Sequence, residues 1–143
     1  GGVLKNINIS NIVATAESLI ACSITGVETS YVENVSINNV QISYPGGGTS
    51  DMVSKPVPEM TKSYPENRMF GMMLPAYGVY IRHADNIRFI NMKLSTIGDK
   101  EERHAVVAED VNGLEITDSA LQSPDSELSV IRLKDCKNVK VPE

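Results

Sequence analysis

Asn34-Val35-Ser36-Ile37-Asn38-Asn39-Val40-Gln41-Ile42 holds the pattern that decides the fold. Apolar residues at 35, 37, 40 and 42 alternate with polar ones, except for a two-residue break at Asn38-Asn39. Alternation turns one face of an extended segment toward an apolar interior. The break shifts the phase, so two short strands meet at a bend. Asn enters the left-handed backbone region more cheaply than most residues with a side chain, and Asn39 sits at that bend.

The spacing recurs along the chain. It is met at Ile7, Ile9, Ile12 and Ala14, at Ile87, Phe89, Met92 and Leu94, and at Leu114, Ile116, Ser119 and Leu121. It begins again at Val139 and Val141. The starts at 7, 35, 87, 114 and 139 lie 28, 52, 27 and 25 residues apart, and 52 is about two periods. The second residue of each break is Asn11, Asn39, Asn91 or Asp118, and the residue before each copy is Asn6, Asn34, Asn86, Gly113 or Asn138. Residues that tolerate a left-handed backbone, standing at one phase of a repeat, predict two columns of identical turns. Eight residues before each of the last three copies stand further apolar pairs: Val79 and Ile81, Val106 and Ala108, Ile131 and Leu133. A comparable strand is expected at 20–22, with seven additional residues before Val35.

Each period of about 26 residues therefore holds three short strands and three corners. Strands one period apart would stack ~4.8 Å from each other and pair in parallel. The expectation is a single all-β domain over residues 1–143, a parallel β-helix of about four to five coils. Helices are disfavoured because Asn and β-branched residues recur through every copy. Leucine-rich repeats have a shorter period and a Leu-rich pattern, and a β-sandwich would need hairpin turns without a common phase.

Residues 45–78 break the repeat and are expected to form one long inserted loop, rich in Gly, Pro and Met. Loops of that length in compact domains are usually functional or disordered. Lys62, Tyr64, Arg68 and Tyr77 are its candidate ligand contacts, while Met69, Phe70, Met72, Met73 and Leu74 could instead cover a flank of the sheet. Arg82 should project outward from the third strand, where it could pair with a carboxylate of a ligand or simply form a surface ion pair.

Charge and composition exclude several classes. The net charge is −5, and Lys and Arg are scattered, which argues against a nucleic-acid partner. No stretch of 18 apolar residues occurs, so no membrane-spanning helix is expected, and no charged-then-apolar leader opens the sequence. Cys22 and Cys136 make no ligand spacing and read as small core residues. His83 and His104 stand about one period apart with no third ligand in phase, so neither a metal site nor a cofactor is expected. Asn8-Ile9-Ser10 and Asn34-Val35-Ser36 fit glycosylation acceptors, but turn geometry already accounts for Asn there.

The run Tyr64-Pro65-Glu66-Asn67-Arg68-Met69-Phe70-Gly71, continuing through Leu74-Pro75-Ala76-Tyr77-Gly78 to Ile81-Arg82-His83, resembles glycoside hydrolase family 28, the polygalacturonases and rhamnogalacturonan-cleaving relatives. Gly1-Gly2-Val3-Leu4-Lys5-Asn6-Ile7 and Gly46-Gly47-Gly48-Thr49 are similar to that family's C-terminal third. The resemblance implies a right-handed parallel β-helix with the pectin lyase-like fold, a pectic polysaccharide or oligosaccharide as partner, and secretion or a periplasmic location. Tyr64, Arg68, Tyr77 and Arg82 become candidate substrate-binding residues.

The family's catalytic signature is Asn-x-Asp, Asp-Asp, Gly-His-Gly and Arg-x-Lys, and it inverts the anomeric centre with paired carboxyl groups. None of the eleven Asn residues is followed two places on by Asp, no two Asp adjoin, and both His follow Arg. Arg132-Leu133-Lys134 satisfies the last motif, but in the family it stands upstream of the segment that this chain's beginning resembles. No catalytic residue is expected here, and the isolated chain should be inactive. The alternatives are a non-catalytic carbohydrate-binding module and a purely structural β-helix segment. A stack opened at its N-terminal side would expose unpaired strand edges, so end-to-end self-association through that end is also expected.

Overall fold

The computed structural model describes residues 4–19, 21–59 and 74–142. It is all-β, with a single 3-10 turn at Ser50–Met52 among the described residues. The strands are β1 (Lys5–Thr15), β2 (Cys22–Thr25), β3 (Val32–Tyr44), β4 (Ala76–Thr96), β5 (His104–Thr117), β6 (Ala120–Leu121) and β7 (Ile131–Lys140). They form one parallel seven-stranded sheet in the order β1-β3-β4-β5-β7, with β2 and β6 also pairing with β4.

The register is the one the repeat predicts. Ile7 pairs with Val35, Val35 with Ile87, Ile87 with Leu114 and Leu114 with Val139. Ile9, Ile37, Phe89 and Ile116 form a second aligned column, and Ala14, Ile42, Leu94 and Leu121 another. A one-residue slip would turn every apolar side chain to the wrong face, so the pattern fixes the register strongly. The buried core gathers the middle of these columns, including Val35, Ile87, Leu114, Phe89, Ile116, Met92 and Leu94, joined by Val79, Ile81, Val106 and Ala108. Burying each such side chain contributes about 1.5–3 kcal/mol.

The bends are left-handed where the Asn columns require it. Asn6, Asn11, Asn34, Asn39, Asn86, Asn91, Asp118 and Asn138 have φ between 52° and 61°. Their side chains form ladders: Asn34 donates to Asn6 at 2.9 Å, Asn86 to Asn34 at 2.8 Å, Asn39 to Asn11 at 2.9 Å and Asn91 to Asn39 at 3.0 Å. A third column of bends lies at His83, Asp110 and Asp135, each with φ near 54°. These follow Arg82, Glu109 and Lys134, which are themselves in register.

Three expectations change. The strand expected at 20–22 is β2, Cys22–Thr25, with Cys22 opposite Val79 and Ile24 opposite Ile81. Cys22 precedes Val35 by 13 residues where Val79 precedes Ile87 by 8, so five residues are extra there, not seven. They form a small turn closed by an antiparallel bridge between Val27 and Ser30. The inserted loop is also shorter than 45–78. Gly47 donates to the Lys100 carbonyl at 3.0 Å and Gly48 accepts from Glu102 at 2.9 Å, so the glycine run travels beside 97–102, while Ala76 to Gly78 belong to β4.

Exposure is concentrated at the two edges of the sheet. Val13 on β1 is 82% exposed and Leu133 on β7 40% exposed, although Leu133 has the inward phase of its column. Beside β7, an open hollow of about 850 Å³ is lined by Leu94, Leu121, Val130, Ile131, Leu133 and Val141, so core columns reach solvent there.

Candidate functional site

The third strand of each repeat presents its outward residues in register: Ser23, Tyr80, Val107 and Arg132 in one column, and Thr25, Arg82, Glu109 and Lys134 in the next. Part of this face is apolar and covered. Leu74, Ala21, Ala76, Tyr80 and Val107 form a second small core with Val57 packed against it, so residues on both sides of the undescribed 60–73 stretch anchor to the sheet.

Arg82 clamps the loop before that stretch. Its Nη1 donates to the Val57 carbonyl and its Nη2 to that of Pro58, both at 2.7 Å, and Nη1 lies 3.0 Å from Glu59 Oε2. The guanidinium also lies 5.7 Å from the Tyr80 ring centre, within cation–π range. Arg82 is buried, so its role in the described structure is to hold residues 57–59. Beyond the clamp, a groove of about 620 Å³ opens between residues 53–57 and β4, β5 and β7, lined by Lys55, Arg82, Glu109, Arg132, Leu133 and Lys134 among others. Glu109 divides its two oxygens, accepting from Tyr80 Oη at 3.1 Å and from Arg132 Nη2 at 3.1 Å. Burial, and then the Glu109 carboxylate, push the Tyr80 hydroxyl pKa well up. Arg132 Nη1 reaches the Val53 carbonyl at 3.3 Å, and its Nε is buried without a hydrogen bond among the described residues.

Next to the groove stands His83, also buried. Its Nδ1 lies 2.6 Å from Asp110 Oδ2 and its Nε2 2.7 Å from Glu59 Oε1. Tyr31 covers the ring edge-on, with centroids 5.6 Å apart, and donates its hydroxyl to the same Asp110 oxygen. The Asp110 bond, helped by burial, pushes the Tyr31 pKa up to about 12. Asp110 is held below the usual carboxylate range by Tyr31 first and His83 second. One turn of chain away, Glu28 brings its carboxylate within 4.8 Å of the ligating atoms of Glu59 and His83.

Two further buried polar groups flank the site. Arg103 and Glu101 form a fully buried pair, and His104 donates from Nδ1 to the Ser129 carbonyl at 2.6 Å. Burial is the main cause that lowers the His104 pKa, against the opposing effect of the Ser129 bond.

Of the four candidate contacts, Tyr64 and Arg68 lie outside the described residues, as does Lys62. Tyr77 is corrected. It is 1% exposed, stacks edge-to-face on Tyr44 at 5.7 Å and donates to the Gln122 carbonyl at 2.8 Å, which makes it a core residue. Arg82 lies on the outward face as expected, yet its donors serve the loop. Sequence reasoning did not find Glu28, Tyr31, Glu59 or Asp110. The usable signals were the extra residues before β3 and an Asp one period after His83. His104 pairs with Ala76 rather than sharing the column of His83. Comparison with protein-family models, characterised proteins and solved structures found no match for this chain.

Proposed function

We propose that the chain is a set of coils from a right-handed parallel β-helix and forms the C-terminal, non-catalytic part of a polygalacturonase-like polysaccharide hydrolase that works outside the cytoplasm. Its share of that work is to hold an acidic polysaccharide. Constant register offsets, left-handed bends at fixed phase and the sequence resemblance support the coil assignment.

One observation carries the binding role: the groove beside residues 53–57 gathers Lys55, Arg132 and Lys134 around a single carboxylate, Glu109. Arg132 and Lys134 stand two residues apart on β7, roughly 6.6 Å along the strand, with Lys55 on the facing loop. That spacing suits a polymer bearing a carboxylate on each sugar, since charge-assisted hydrogen bonds to such groups are the strong ones. Arg82 supports the groove from beneath by fixing its loop wall.

Titrating oligogalacturonides into the protein by calorimetry tests the proposal, with reducing-sugar release measured in parallel. Binding is expected, without turnover. A charge-assisted contact contributes about 1.5–3 kcal/mol, so Arg132→Ala should weaken binding roughly tenfold or more. Tyr77→Phe, a change inside the core, should leave affinity unchanged. Undetectable binding would end the carbohydrate reading, and hydrolysis abolished by a point substitution in this chain would overturn its non-catalytic half.

A further inference from the structure

His83 differs from the other left-handed bends. Among the described residues with a side chain and positive φ, every one except His83 is Asn or Asp. Its own column continues as Asp110 and Asp135, the residue types that meet the left-handed requirement with a short polar side chain. Local turn geometry tolerates an imidazole here, since His is also enriched in left-handed backbone, but it asks for nothing that Asn or Asp does not supply. What the imidazole adds is a nitrogen aimed at Glu59 from a ring already fixed by Asp110.

The neighbouring chain is shaped to approach that ring. The extra turn after β2 begins at Gly26, where a Cβ would lie 2.5 Å from the His83 carbonyl oxygen, so only glycine admits the approach. The turn then delivers Glu28 and Tyr31 over His83. The surroundings are strongly anionic. Glu28, Asp85 and Asp110 all act on the Tyr31 hydroxyl, and Glu59 adds a fourth carboxylate, against Arg82 and the ring itself.

We propose that Glu28, Glu59 and Nε2 of His83, gathered by the turn after β2, the Arg82-clamped loop and the bend of β4, form a binding site for a divalent transition-metal ion of the zinc type. The supports behind the ligands match what such sites need. Asp110 takes the other ring nitrogen and fixes the tautomer, and Tyr31 in turn fixes Asp110. Arg82 occupies Oε2 of Glu59, leaving Oε1 to face the site. Metal replaces the proton on Nε2. With ligand bonds of about 2.0–2.1 Å, tetrahedral neighbours lie about 3.3 Å apart. The 2.7 Å between His83 Nε2 and Glu59 Oε1 must therefore widen by roughly half an ångström. Glu59 and Glu28 are exposed and can give that movement, and water would fill the remaining coordination position. An imidazole among the ligands favours zinc over calcium, which takes oxygen ligands.

Calorimetric titration of chelator-treated protein with zinc chloride, and separately with calcium chloride, tests the site. One zinc ion per chain is expected, bound more tightly than calcium. Glu28→Gln should weaken zinc binding at least tenfold, and Asp110→Asn, which touches no metal, by about 10–100-fold. His83→Asn should abolish it while circular dichroism shows the fold retained, because Asn occupies the same backbone conformation at the other bends. No zinc binding, calcium binding tighter than zinc, or unchanged affinity in folded His83→Asn would each overturn the proposal.

Discussion

Replacing Arg103 by Met isolates the energetics of the buried pair that ties three segments together. Arg103 and Glu101 are both 1% exposed. The guanidinium meets both carboxylate oxygens, Nε to Oε2 and Nη2 to Oε1, at 2.9 Å each. Its Nη1 reaches the carbonyls of Leu19 at 3.0 Å, Ala76 at 3.3 Å and Leu74 at 3.4 Å. Methionine replaces much of the stem and donates nothing, leaving Glu101 with the Arg103 backbone N–H at 3.1 Å. Deleting one partner of a buried pair costs about 3–5 kcal/mol. The stranded carbonyls, of which only Leu19 has a short bond to lose, add about 1 kcal/mol. The expected loss is about 4–6 kcal/mol, a large part of the ~5–15 kcal/mol that stabilises a typical domain. Removing both charges in Glu101→Leu with Arg103→Met should cost only about 1–2 kcal/mol, since the isolated carboxylate is gone. Urea unfolding followed by far-UV circular dichroism, with slopes compared, measures all the variants. A loss below about 1 kcal/mol for the single substitution, or a double variant as unstable as the single, would refute this account.

At the bends, Asn39→Ala should cost about 2–3 kcal/mol, from left-handed strain and two lost side-chain bonds, and Asn39→Gly about 1 kcal/mol. Equal losses in thermal melts would show that the bend does not require glycine-like freedom. His104 has a folded pKa below the ordinary value of 6.5, so the unfolded chain binds the extra proton first. Its contribution to stability is complete above pH 6.5 and declines as the pH falls from there toward the folded pKa. Urea midpoints at pH 8 and pH 5.5 should reveal that decline, with a smaller difference in His104→Gln. Ile9, Ile12 and Val13 are exposed on β1, so the isolated polypeptide should associate with rising concentration in sedimentation velocity. Ile12→Lys should reduce the association, and a monomer at every concentration would count against it.

The sequence carried register well because the repeat writes it many times. Alternation with a fixed interruption leaves few ways to align Val35 with Ile87, and Asn at constant phase names two of the three bends. The third bend was harder to read, because its column holds His83, Asp110 and Asp135 and two residue types hide the common backbone requirement. Tyr77 was legible and misread. It stands two residues before Val79, so the alternation already turned it inward, and its hydroxyl satisfies interior carbonyls instead of a ligand. Leu133 shows the opposite limit. Phase is a local property that sequence displays, but burial needs a neighbouring layer that phase cannot supply. The His83 cluster was legible only in part, through Asp110 one period after His83 and the extra residues before β3. Glu28, Glu59 and Asp110 meet only through pairings one or more periods away, and no spacing rule for adjacent ligands spans them.

Backbone pairing in this sheet joins only strands of adjacent repeats, while single side-chain bonds, Tyr31 to Asp110 and Arg103 to Leu19, reach past the neighbour. The molecule therefore has a characteristic thickness per repeat but little that sets its total length. Its cohesion is close to a sum over adjacent pairs, and β4, flanked by β3 and β5, is held from both sides while β1 and β7 are held from one. Amide hydrogens should therefore exchange slowest in β4 and β5 and progressively faster outward, like a stack of coins losing its outermost pieces first.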